Sequence, residues 1–142
     1  MAQLDHLVLP VSDVEFSAMR REVLRALAAL SDRDYQRRVW ELKQYPGTGF
    51  YDDLTQNINV LYDDCQVLPE PESRLWSVLL PGDELARLAA VDRVLGRMID
   101  ELGEAPDEMY LADPRWATVM TAAGRALASM ILAGGFCDPE SQ

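Results

Sequence analysis

Apolar residues recur at helical spacing along most of this chain. Phe16, Met19, Val23, Leu27 and Leu30 trace one face of a helix ending near Leu30, and Ser12 followed by Glu15 forms a capping box ahead of it. Ser31, with Asp34 three residues on, predicts the next helix start, and Tyr35, Val39 and Leu42 give that shorter helix its apolar stripe. The run KQYPGTGF then breaks the chain at Pro46, Gly47 and Gly49. Periodicity is longest from Asp83 to Leu102, where Leu85, Leu88, Leu95, Met98, Ile99 and Leu102 face inward and Gly103 follows as the stop. Gly96 inside that segment predicts close approach by a neighbouring backbone. One helical turn is expected at Asp107–Leu111. Asp113 then caps the last helix and Pro114 opens it, since proline in the first turn gives up no needed hydrogen bond. Trp116, Val119, Met120, Ala123, Leu127, Met130 and Ile131 line its buried face up to Gly134 and Gly135.

Between these segments lies YDDLTQNINVLYDD, residues 51 to 64, in which Tyr-Asp-Asp returns after eleven residues. At about 100° per residue that is roughly 20° past three full turns, so a regular helix would bring each repeated residue back to its own face. Tyr51, Leu54, Ile58, Leu61 and Cys65 then form the buried stripe, with Asp52, Gln56, Asn59 and Asp63 on the wet side. The two Asp pairs would stand about 16 Å apart along the axis, too far to share a cation with ligands at ~2–2.6 Å. After Cys65, two short apolar runs flank a proline-rich acidic loop. They pair as a β-hairpin across residues 65–80 or cover the core as extended segments. The sum is a mainly α, compact single-domain bundle of about five helices over 1–142, with 1–11 and 136–142 loosely ordered.

Composition narrows the chemistry. With 142 residues, 49% of them hydrophobic, the chain can bury a substantial core. It has neither an uncharged apolar run of about eighteen residues nor a basic, apolar-cored leader, so a soluble cytoplasmic protein is expected, with no membrane association. Cys65 and Cys137 lack CxxC or Cys/His zinc spacing and are expected as reduced, partly buried thiols. A single lysine, Lys43, beside twelve arginines and abundant alanine and leucine points to a GC-rich bacterial genome. The lone histidine, His6, precedes the first helix, which removes most Ser/His/Asp and Cys/His devices. No P-loop, GxGxxG or HExxH is present. No catalytic residue, cofactor or metal ligand set is therefore assigned. Asp53 and Asn57, four apart, could share in a hard-cation site, although a solvated helix face is the plainer reading.

The net charge of −11 is unevenly spread. Residues 1–44 balance, whereas Tyr45 to Ser73 and Met98 to Pro114 each hold six acids and no base. Such fields repel nucleic acid and favour basic partners. Asp52, Asp53, Asp63, Asp64, Glu70, Glu72, Asp100, Glu101 and Glu104 are the candidate partner-binding residues. Arg20, Arg21, Arg25, Arg33, Arg37 and Arg38 form the only basic concentration along the chain, and they either neutralise the acidic windows or leave them open. Trp40, Trp76 and Trp116, one per element, are expected as core or rim anchors.

The blocks LSDRDYQRRVW, FYDDLTQNINVLYDDCQVLPEP and DELGEAPDEMYLADPRW resemble those of a group of small actinobacterial proteins of about this length, over Leu30 to about Ala133. That resemblance implies a shared conformation around the blocks and brings no activity with it. Three functions stay in play: a non-enzymatic acidic protein that recognises a basic protein partner, as immunity or antitoxin-like proteins do; a helical accessory subunit or homodimer acting through apolar faces; and a carboxylate-dependent metal binder or enzyme.

Overall fold

In the computed structural model, which describes residues 14–136, about two thirds of the residues are helical. Helix α1 spans Ser17–Ser31 and α2 Arg33–Tyr35, the latter running on as a π-helix over Gln36–Glu41. Helix α3 spans Leu54–Asn59 and likewise continues as a π-helix, Val60–Asp64. A 3-10 turn at Pro71–Arg74 precedes α4 (Asp83–Leu102), α5 (Asp107–Ala112) and α6 (Trp116–Ala133). The architecture is the expected mainly α single-domain bundle. Ser12, His6 and Cys137 lie outside the described residues, and with them the Ser12 half of the capping box and the loosely ordered ends expected at 1–11 and 136–142, save for Phe136.

Helices α1, α4 and α6 make the frame. α4 and α6 are antiparallel: Arg115, beside the start of α6, reaches Glu101 near the end of α4 at 2.9 Å, and the far ends of both meet Arg20 of α1. Val23, Leu27 and Leu30 from α1, Leu88, Leu95 and Met98 from α4, and Trp116, Val119, Ala123 and Met130 from α6 fill the core. Helix α6 has the length and mean hydropathy (1.3 over 18 residues) of a membrane span, yet it carries Arg125 and turns a regular stripe of residues into this core. Ile131, expected inside, is 56% exposed.

Several local expectations shift by a residue or two for identifiable reasons. α1 starts at Ser17, because the amides of Glu15 and Phe16 are taken by the carbonyls of Trp76 and Ser77 at 2.9 and 2.8 Å; Phe16 is left exposed. The N-cap of α2 is Asp32, whose carboxylate accepts from Tyr35 N at 3.1 Å, while Ser31 closes α1 by donating to Ala28 O. Asp113 and Pro114 stand in the turn ahead of α6, whose N-cap is Arg115 without a side-chain cap; Asp113 accepts from Arg115 N at 2.8 Å and so orders that turn instead of capping the helix. Gly103 ends α4 at φ 58°, a conformation that suits a residue without Cβ. The close neighbour of Gly96 is a side chain and not a backbone: a Cβ there would meet Asp92 Oδ1 at 2.8 Å.

The hairpin does not form. No strand occurs among the described residues, and residues 65–80 carry one isolated bridge, Leu75 with Leu79. Val67, Leu68, Pro71, Val78, Leu79 and Leu80 instead press inward as a covering segment, tied down by Leu68 N to Leu61 O and Arg74 Nε to Cys65 O. Cys65 sits beneath this cover as a free, buried thiol. Burial, aided by Asp64 and Glu22, pushes its pKa from 9.0 up to about 11. The unfolded chain releases this proton first, so stability is held below pH 9 and declines as pH rises from 9 through 11. A series of urea unfolding curves between pH 8 and 10 should show that decline begin, and Cys65→Ala should remove it over that range, above which the raised phenols of Tyr35 and Tyr51 add a loss of the same sign.

Candidate functional site

The YDD repeat is not a structural repeat. Its first copy precedes α3, with Asp53 at the N-cap in extended conformation, and its second lies in the π-helix, where Cys65 N reaches back five residues to Val60 O. An i→i+5 turn holds more residues than an α-turn, so the faces set by 100° per residue drift. The buried positions are accordingly Leu54, Asn57, Leu61 and Cys65; Ile58 is half-buried and Tyr51 is exposed. The expected three-turn acidic ladder is thereby corrected. Tyr62 points to α4 and donates to Asp92 Oδ1 at 2.6 Å, and Tyr51 donates to Asp53. That bond with Asp53 pushes the Tyr51 phenol up to about 12.

Asp52 was expected on the wet side but is a half-buried hub. Its carboxylate accepts from Tyr35 Oη at 2.8 Å, Trp40 Nε1 at 2.9 Å and Asn57 Nδ2 at 2.9 Å, joining α2 to α3. Asn57 also donates to Asp53 O, so its amide is turned by its N–H groups toward Asp52 and offers no oxygen there to a cation shared with Asp53. Burial, and then the Asp52 bond, raise the Tyr35 pKa, keeping that phenol a donor. Beside the hub opens a cleft of about 510 Å³, between α1 and the segment leading into α3. Tyr35, Phe50 and Tyr51 give it aromatic walls, with Tyr45 packed on both of the latter at 5.9 and 5.8 Å between ring centres. Its charged lining is Glu22, Asp32 and Asp52 against Arg25, and Arg25 is already paired with Glu22.

The other candidate acids are dispersed. Asp63 and Asp100 line a second cleft between the π-helix after α3 and α4, together with Asp92, Arg93 and Arg97. Asp53 faces Lys43, Glu41, Glu108 and Asp107, whose carboxylate accepts from Leu54 N at 3.0 Å and whose pKa burial raises. Glu104 borders a recess beside Tyr110, and Asp64, Glu70 and Glu72 are exposed. Glu101 is paired with Arg115, as is Asp113, which the Arg115 bonds hold down to about 2. Among the described residues, no three His, Cys, Asp or Glu side chains converge on a point a metal could occupy.

The arginines behave differently from their order in the chain. Arg20 pairs with Glu84 in the interior, Arg25 with Glu22 and Arg38 with Asp34, so none of these three ion pairs uses an acid of either window; in the second window Glu101 and Asp113 are paired with Arg115. The basic concentration the sequence did not show is spatial: Arg87, Arg93, Arg97, Arg115 and Arg125 converge between α4 and α6.

The molecule is thus an all-α single-domain protein with an acidic, aromatic-walled cleft. The family model for a domain of unknown function, DUF7945, matches residues 14–136, and the chain belongs to that family. No curated protein and no solved structure matches the chain.

Proposed function

We propose that this protein is a non-enzymatic binding module that receives a basic segment of a protein partner in the cleft of Tyr35, Phe50, Tyr51 and Asp52, in the manner of immunity or antitoxin-like proteins. The observation that carries this reading is the state of Asp52: three neutral donors hold it in place, and no lysine or arginine among the described residues bonds to it. A carboxylate positioned but not neutralised, beside aromatic faces, suits a guanidinium or ammonium group through charge and cation–π attraction. Asp53, Asp63, Asp64, Glu70, Glu72, Asp100, Glu101 and Glu104 add a negative field that steers a basic partner toward the molecule. The arginine bias and the three sequence blocks support an actinobacterial source, and a cytoplasmic location is part of the same proposal. The alternative of an accessory subunit or homodimer is favoured by Ile131 and Leu132, 56% and 88% exposed at the end of α6.

The test is a titration with a hexa-arginine peptide, followed by NMR at two salt concentrations. Shifts should concentrate on Tyr35, Phe50, Tyr51 and Asp52. Phe50→Ala with Tyr51→Ala should weaken binding at least about tenfold, whereas neutralising Asp63, Asp64, Glu70 and Glu72 should slow association and flatten its salt dependence. Shifts scattered over all acidic residues, and indifferent to the aromatic changes, would sink the cleft. A dimer mass that Leu132→Lys abolishes would favour the accessory-subunit reading.

A further inference from the structure

The face opposite in sign to the cleft carries its own geometry. Between α4 and α6 runs a groove of about 700 Å³ whose floor and sides between the arginines are the small residues Ala90, Val94, Ala117, Thr118, Thr121 and Ala122, with Glu101 at the Arg115 end. Arginines stand at both of its ends on both walls. Arg87 and Arg97 are ten residues apart on α4, and Arg115 and Arg125 are ten apart at the start and middle of α6. At 1.5 Å per residue each pair spans about 15 Å. Because the helices are antiparallel, Arg87 and Arg125 guard one end while Arg97 and Arg115 guard the other; Arg93 adds charge in the middle. Arg115 is held by Glu101 and Asp113, but Arg87, Arg93, Arg97 and Arg125 have no hydrogen bond or ion pair among the described residues.

In a protein of net charge −11, four unpaired guanidinium groups around one trough are a concentration that internal pairing does not explain. Small side chains on the floor let another backbone come close, and the apolar floor with cationic ends is complementary to one kind of object. We propose that the α4–α6 groove docks an amphipathic helix of a partner protein, about three turns long, apolar toward the Ala/Val/Thr floor and acidic at both ends. A polyphosphate or nucleic acid would gain nothing from the apolar floor and would meet the negative field of the remaining surface. A helix gains both from the groove and from arginine's bidentate grip on carboxylates. This surface is separate from the aromatic cleft and does not rest on the function proposed for it.

The experiment uses the full chain and a fluorescein-labelled, capped helical peptide of about sixteen residues, with leucine and alanine on one face and glutamate pairs about ten residues apart. Inorganic tripolyphosphate and a single-stranded thymidine oligonucleotide serve as competing anions. Fluorescence anisotropy should show saturable binding that weakens at least about tenfold for Arg87→Glu with Arg97→Glu. It should weaken comparably for Thr121→Trp, which blocks the floor and keeps every charge. Circular dichroism checks that these exposed substitutions leave the fold intact. Should one of them unfold the chain, Arg125→Gln and Thr118→Trp provide the same two readings. No binding at low salt, binding untouched by the floor substitution, or displacement by tripolyphosphate or the oligonucleotide at equal charge overturns the proposal.

Discussion

Glu84→Ala should lower the unfolding free energy by about 3–5 kcal/mol, because it strands a guanidinium in the interior. Arg20 is 0% exposed and Glu84 1%, and they form a two-pronged pair at 2.6 and 2.7 Å. The remaining Arg20 hydrogen-bond donors go to backbone carbonyls at the ends of other elements: Gly134 at 2.8 Å, Val78 at 3.1 Å and Met130 at 3.4 Å. Glu84 in turn accepts from Leu80 N at 2.8 Å. Urea denaturation with an unchanged slope is the measurement, and a loss under about 1 kcal/mol would mean that water enters the site. Replacing both partners, Arg20→Met with Glu84→Leu, should recover only part of the loss. An apolar pair removes the stranded charge but leaves the Gly134 and Val78 carbonyls and the Leu80 amide unpaired, at about 1–3 kcal/mol for each that stays dry, whereas Met130 O keeps its bond from Gly134 N.

Trp116→Ala is the second large effect, with an expected cost of about 3–5 kcal/mol. The indole is fully buried at the start of α6, and its Nε1 donates to Gln36 Oε1 at 3.0 Å. Gln36 is itself fully buried and donates to Ala29 O and Leu30 O, both at 2.9 Å, in the last turn of α1, where carbonyls lack a regular helical partner. One glutamine amide therefore joins three elements, and removing the indole both opens a cavity and leaves that amide oxygen without its donor. Thermal unfolding of Trp116→Ala and Gln36→Ala, singly and together, should give losses smaller in the double variant than the sum, since they share one hydrogen bond. Strict additivity would show that the indole acts by volume alone.

Helix bounds were legible where periodicity was long. Asp83–Leu102 was read to the residue, because twenty residues of regular α-turn leave the stripe no room to drift. The YDD segment departs from its pattern for the converse reason: two winding modes follow one another within eleven residues, and nothing in the residue types announces the wider turn. Hence Asn57 is buried where Ile58 was expected, and Asp52 is a hub where a wet carboxylate was expected. The internal ion pair did leave a signal. Arg20 lies on the stripe of Val23, Leu27 and Leu30, and Glu84 on that of Leu88, Val91, Leu95 and Met98; opposite charges each heading an apolar stripe were a readable cue. The α4–α6 groove left none along the chain, since Arg87, Arg93 and Arg97 are far in sequence from Arg115 and Arg125 and meet only through antiparallel packing.

The Arg20 clamp also fixes where the chain enters and leaves the domain. Phe16 O accepts from the Arg20 amide in the first turn of α1, and the Phe136 ring lies 4.8 Å from the Arg20 guanidinium carbon. Residues at or just inside both limits of the family-matched span thus lie around one arginine, so a short linker between those limits should let the chain be reopened elsewhere as a circular permutant.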